Sequence, residues 1–111
     1  AEGYPPYNIE QTAEDAFGIT LAVAGFSPAE LQVSVEDNQL VIRGKQTDEA
    51  GRSYLHRGIA ARQFQRAFVL ADGMEVTGAE LENGLLTIRL TRKRPESRTR
   101  IIPIRAAGAK E

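Results

Sequence analysis

The chain of 111 residues has the length of one domain, and its 41% hydrophobic and 26% charged residues are an ordinary globular balance that excludes wholesale disorder. With no Cys and a single His, it cannot form a disulfide scaffold, a Cys-ligated zinc site, a thiol enzyme or any site needing two imidazoles. The formal net charge of −1 excludes a chain that is polybasic throughout, no apolar run reaches membrane-spanning length, and no signal peptide is visible.

Period-2 alternation governs the chain, and helical periodicity is nearly absent. Phe17, Ile19, Leu21 and Val23 share one face of the first run. Ser27-Pro28-Ala29-Glu30 then has the cap and first-position proline of a single helical turn. Leu31, Val33 and Val35 share a face of the next run, and Leu40 and Ile42 point inward after the Asp37-Asn38 turn. The segment 45–61 is a long connection rich in charge and glycine, with a strand-like stretch, Tyr54-Leu55-His56-Arg57, in its middle; a connection of that length is usually functional or mobile. The run Phe64–Leu70 predicts a bulge or burial on both faces. Asp72-Gly73 turns the chain into Ala79-Glu80-Leu81-Glu82. Asn83-Gly84, whose residues both tolerate positive φ, closes a tight hairpin with Leu86-Thr87-Ile88-Arg89-Leu90. Short strands at this spacing predict an all-β fold, an antiparallel β-sandwich or barrel.

Charge is unevenly spread. Residues 1–88 carry six basic side chains against thirteen acids, and residues 89–111 carry eight against two, so the body is acidic and the tail basic. Such a tail suits either a polyanion or an acidic neighbour, and the lack of interleaved aromatic residues favours the neighbour over nucleic acid. No phosphate-cradling loop or Gly-X-Ser-X-Gly elbow occurs. The acid pairs Glu14-Asp15, Glu36-Asp37 and Asp48-Glu49 lie at turn and loop edges, where neighbours point to opposite faces. His56 alone reads as a strand residue at an interface. No catalytic, cofactor-binding or metal-ligating residue is expected. The remaining oddity is Ile102-Pro103-Ile104: two branched apolar residues held extended by a proline that cannot donate to a ladder. Either it is a last strand of the chain's own sandwich, or it is a peptide ligand for a sheet-edge groove, which the charged stretch before it favours.

At these residues the sequence resembles a family. Ala79-Glu80-Leu81-Glu82-Asn83-Gly84-Leu85-Leu86-Thr87-Ile88 is similar to the signature hairpin of the α-crystallin domain of small heat shock proteins, and Ile102-Pro103-Ile104 to their C-terminal Ile-X-Ile anchor. Val23–Leu31 with Val33 and Val35, and Asp37–Gly44, also resemble that domain. Tyr54–Ala60 with Arg62–Phe68 resembles its non-animal branch, and Tyr4–Ile9 the bacterial inclusion-body-binding subgroup. The variable N-terminal arm that normally precedes the domain is missing from this sequence.

The resemblance implies an immunoglobulin-like sandwich over residues 1–92 and a C-terminal extension over 93–111. It implies a cytoplasmic, ATP-independent holdase chaperone of partly unfolded proteins, neither an enzyme nor a nucleic-acid or membrane-spanning protein, with no cofactor. It further implies a strand-exchanged homodimer, in which Tyr54, Leu55, His56 and Arg57 pair with a partner's first strand around Asn8, Ile9, Glu10 and Gln11, and Arg66 meets a partner's acid. Ile102, Pro103 and Ile104 would plug a neighbour's groove beside Val33, Val35, Ala79 and Leu81, which clients also enter, and Glu80 and Glu82 would attract the Arg-rich tether. The alternatives are a co-chaperone module of the related sandwich fold, which lacks both the exchange loop and the tail, and a nucleic-acid binder using the basic tail.

Overall fold

A computed structural model describes residues 3–93 and 99–108. Seven antiparallel strands form two layers: β1 (Tyr7–Ala13), β2 (Ala16–Ala22), β3 (Leu31–Glu36), β4 (Gln39–Lys45), β5 (Gln63–Val69), β6 (Met74–Glu82) and β7 (Leu85–Arg92). One sheet has the order β1-β2-β7-β6 and the other β3-β4-β5. The fold is therefore a sandwich rather than a closed barrel, as alternation with frequent turns permits.

Alternation places the core. Ile19 and Leu21 of β2, Leu40 and Ile42 of β4, and Leu86, Ile88 and Leu90 of β7 are buried between the layers with Val23, Phe26 and Phe64. The central strands supply most of this core because both their neighbours shield them. On the edge strand β3, Val33 is half-buried and Val35 exposed. Asn83 and Gly84 adopt φ of 54° and 77° at the β6–β7 hairpin, and Asp37 adopts 57° at the β3–β4 turn, as the turn chemistry requires. Pro28–Glu30 forms one 3₁₀ turn after Ser27.

Two expectations are corrected. The run Phe64–Leu70 contains no bulge: β5 pairs with β4 in unbroken register, and Phe64, Arg66 and Phe68, at even spacing, share one face. Register is broken instead at the end of β1, between Gln11 and Ala13, and by a bulge in β6, between Val76 and Gly78. The β6 bulge shifts the phase, so Val76 opposite Leu90 and then Ala79 opposite Ile88 all face the core side although their parities differ. Strand β6 also begins five residues before the predicted Ala79.

The sandwich has two open sides. Tyr4 packs edge-on against Phe64 and Tyr7 against Phe68, with ring centroids 5.8 and 5.0 Å apart, and Arg66 Nη2 donates to the Pro5 carbonyl at 3.0 Å. These contacts set β1 over the edge strand β5. The opposite side is then bordered by the other two edges, β3 and β6.

Candidate functional site

The side bordered by β1 has the features of an unfinished interface. All seven residues of β1 are exposed, and the strand pairs only with β2, leaving one edge without a ladder. An unpaired edge of this length invites another strand. Asn8 and Glu10 lie opposite Thr20 and Gly18 on the outer face, and Ile9 lies opposite buried Ile19 yet is 60% exposed. A 470 Å³ cavity opens beside Ile9 and continues past Phe17, Phe68, Leu70, Met74 and Leu90. No local pattern in the sequence points to it, because its walls come from five strands, β1, β2, β5, β6 and β7.

Arg66 lies on the inner face of β5 under this edge. Its guanidinium carbon sits 5.0 Å from the centre of the Tyr7 ring, and its buried Nε has no hydrogen-bond partner. The structure thus ties Arg66 to a backbone carbonyl and an aromatic face.

Residues 54–57 carry no strand within this single chain. The segment projects: Leu55 is fully exposed, Ile59 is 87% exposed and Tyr54 is half-exposed. Arg57 pairs with Asp48 and lies over the Tyr54 ring at 5.2 Å, and Arg52 pairs with Glu49 at 2.7 Å. Two of the acids read as solvated surface therefore brace the loop. His56 is exposed.

On the other side, Val33 and Leu81 are half-buried against the core, while Val35 and Ala79 are exposed. Val33 and Val35 lie opposite buried Ile42 and Leu40, and Ala79 and Leu81 opposite buried Ile88 and Leu86, so all four face the layer between the sheets. The four residues named from the resemblance thus lie on the inner faces of two edge strands, β3 and β6. Glu36 at the end of β3 accepts from Arg43 at 2.6 Å and from Ser34, and these bonds hold its carboxyl down to about 2. Glu80 faces Arg89 of its own hairpin at 4.0 Å, so it is not free for a tether alone. Ile102 and Ile104 are 70% and 97% exposed, and residues 99–108 carry no strand in this single chain. Residues 94–98 of the tether lie outside the described residues. Among the described residues, no cluster of three or more His, Cys, Asp or Glu could hold a metal, and no helix is long and apolar enough to cross a membrane.

Residues 9–105 match the Hsp20/alpha crystallin family. The chain is 51% identical over 107 residues to small heat shock protein HspH of Bradyrhizobium diazoefficiens, covering 96% of this chain and 71% of that protein. It is 49% identical over 96 residues to small heat shock protein IbpA of Serratia proteamaculans, covering 86% and 70%. Its fold superposes on that of small heat shock protein AgsA from Salmonella typhimurium, truncated at its C-terminus. The TM-score is 0.72 and the identity 29%, over 90% of this chain and 98% of that one.

Proposed function

The chain belongs to the Hsp20/alpha crystallin family, the small heat shock proteins, and from that premise we propose that it is an ATP-independent holdase that works as a strand-exchanged dimer and larger assemblies. Its sandwich is the α-crystallin domain of that chaperone family. The observation that carries the reading is the unpaired outer edge of β1 together with a projecting, uncovered Tyr54–Arg57. Backbone donors and acceptors on both segments need partners, and each segment supplies what the other lacks. The segment 45–61, at about 3.3 Å per extended residue, reaches on the order of 50 Å, ample to cross to a second chain. Arg66, under the same edge with its Nε unsatisfied, would meet the partner's acid there. The apolar seam of Val33, Val35, Ala79 and Leu81 takes the Ile102-Pro103-Ile104 plug of a neighbour or, in competition with it, a client's exposed apolar segment. A cytoplasmic setting, where partly unfolded proteins accumulate under stress, accords with a chain free of Cys.

Two results are expected. Deleting residues 51–58 yields a monomer that keeps its β-sheet spectrum, because the deleted residues belong to no strand of the sandwich. Sedimentation of the variant as a dimer would show that the loop is not the contact. The intact chain suppresses light scattering by a heated client in proportion to the chain-to-client ratio with no nucleotide added. Suppression that required ATP would overturn the holdase reading.

A further inference from the structure

We propose that residues 46–62 are a prebuilt exchange arm and that Glu30, on the body of the domain, is the positioning residue that fixes its root. The inference rests on the strand-exchange reading above and concerns how the arm reaches its partner.

The carboxylate of Glu30 is divided between two jobs. Its Oε1 accepts from the Ser27 N–H at 2.9 Å and the Ser27 hydroxyl at 3.1 Å, closing the 3₁₀ turn. Its Oε2 accepts the Thr47 N–H at 2.9 Å. Thr47 lies 17 residues further on, two residues beyond the end of β4, where the sheet no longer supplies an acceptor. Glu30 thus links the first residues of the loop to a turn anchored on β3. Beside it the two limbs of the loop are joined: the Gln46 N–H donates to the Arg62 carbonyl at 2.9 Å, and the Arg62 N–H donates to the Gln46 side-chain oxygen at 2.8 Å. The donors around Glu30 hold its carboxyl below the usual range, which keeps it an acceptor.

Beyond the root the arm is braced by its own contacts. Arg57 pairs with Asp48, lies over Tyr54 and donates from Nε to the Ile59 carbonyl at 3.3 Å. These polar contacts give the arm a shape, yet Leu55 and Ile59 remain uncovered. An arm stabilised only for itself would turn those two side chains inward. Fixing the shape while leaving the apolar residues outward removes beforehand the conformational entropy that a second copy would otherwise have to overcome on binding.

The dimer dissociation constant, measured by dilution with sedimentation or fluorescence, tests this on the full-length chain. Glu30→Ala frees Thr47 and should raise the constant about tenfold per arm, on the order of a hundredfold for a dimer with two arms. Glu30→Gln, whose one carbonyl oxygen can serve Ser27 or Thr47 but not both, should fall between and guards against a folding defect in the alanine variant. Ser27→Ala removes the hydroxyl donor from the turn but leaves the Thr47 bond, so it should leave the constant unchanged. If Ser27→Ala weakens the dimer as much as Glu30→Ala, the turn and not the root is responsible, and the proposal fails. It also fails if both Glu30 variants dimerise like the parent. A dimeric 51–58 deletion would overturn the exchange reading itself. A monomeric deletion with unaltered Glu30 variants would overturn the prebuilt arm alone.

Discussion

Gly44→Ala is expected to destabilise the domain by about 2–3 kcal/mol, a large effect for one added methyl group. Gly44 lies on the inner face of β4, opposite Phe64 on one side and Leu31 on the other. A Cβ there would overlap the Phe64 ring and come 2.9 Å from Phe26 Cε1. Neither ring can retreat freely. Phe26 and Phe64 are both buried and packed edge-to-face, with centroids 5.4 Å apart, and Tyr4 closes on Phe64 from the other sheet's side with Arg62 over its ring at 4.4 Å. The added group must therefore displace a stack that seals one end of the sandwich. Gly18→Ala is the control, since a Cβ at that strand position meets nothing within 4 Å. Equal denaturation midpoints for the two variants would show that the aromatic stack is loose enough to absorb the methyl.

The second large effect is on assembly. Replacing Ile102 and Ile104 together by Gly should abolish species larger than the dimer while leaving the sandwich folded. Both side chains are exposed in the single chain and contribute nothing to its core. Each would gain roughly 1.5–3 kcal/mol on full burial in a neighbour's seam, from which the ordering of the tail must be subtracted. One such contact is weak, in the micromolar to millimolar range. Several, repeated around an assembly, hold it while still letting subunits exchange. Loss of the folded domain in the double variant would show that the segment is an integral strand. Unchanged mass and unchanged subunit exchange would show that the tail does not plug the seam.

What the sequence revealed divides along physical lines. Strands β2, β3, β4 and β7 are legible because one face of each turns toward the core, fully buried in β2, β4 and β7 and half-buried in the first part of β3, and this imposes alternation on residues such as Ile19, Leu21, Leu40, Ile42, Ile88 and Leu90. Strand β1 has no buried residue and so no alternation; only the resemblance pointed to it. The first half of β6 was missed because the bulge at Val76/Gly78 breaks the period that would have revealed it. The four seam residues came from the resemblance, and the register explains their choice: each faces the core layer, yet each lies on an edge strand that leaves it partly open. The tie between Glu30 and Thr47 was invisible, since a hydrogen bond across 17 residues leaves no periodic trace.

The two open sides of the sandwich differ in symmetry. On the proposed exchange, giving an arm for the β1 edge would be reciprocal: each chain would give and receive through the same surfaces, so two chains would satisfy one another and the contact would stop growing at two. A tail in a seam is one-way, with donor and acceptor on separate parts of the chain, and every pair formed by exchange would still carry two of each. Such a pair would be a four-valent building block. The number of residues in the tether between β7 and Ile102, and not the sandwich, would then decide between closed shells and open chains. A change in tether length at constant domain sequence would alter the number of subunits without altering either contact.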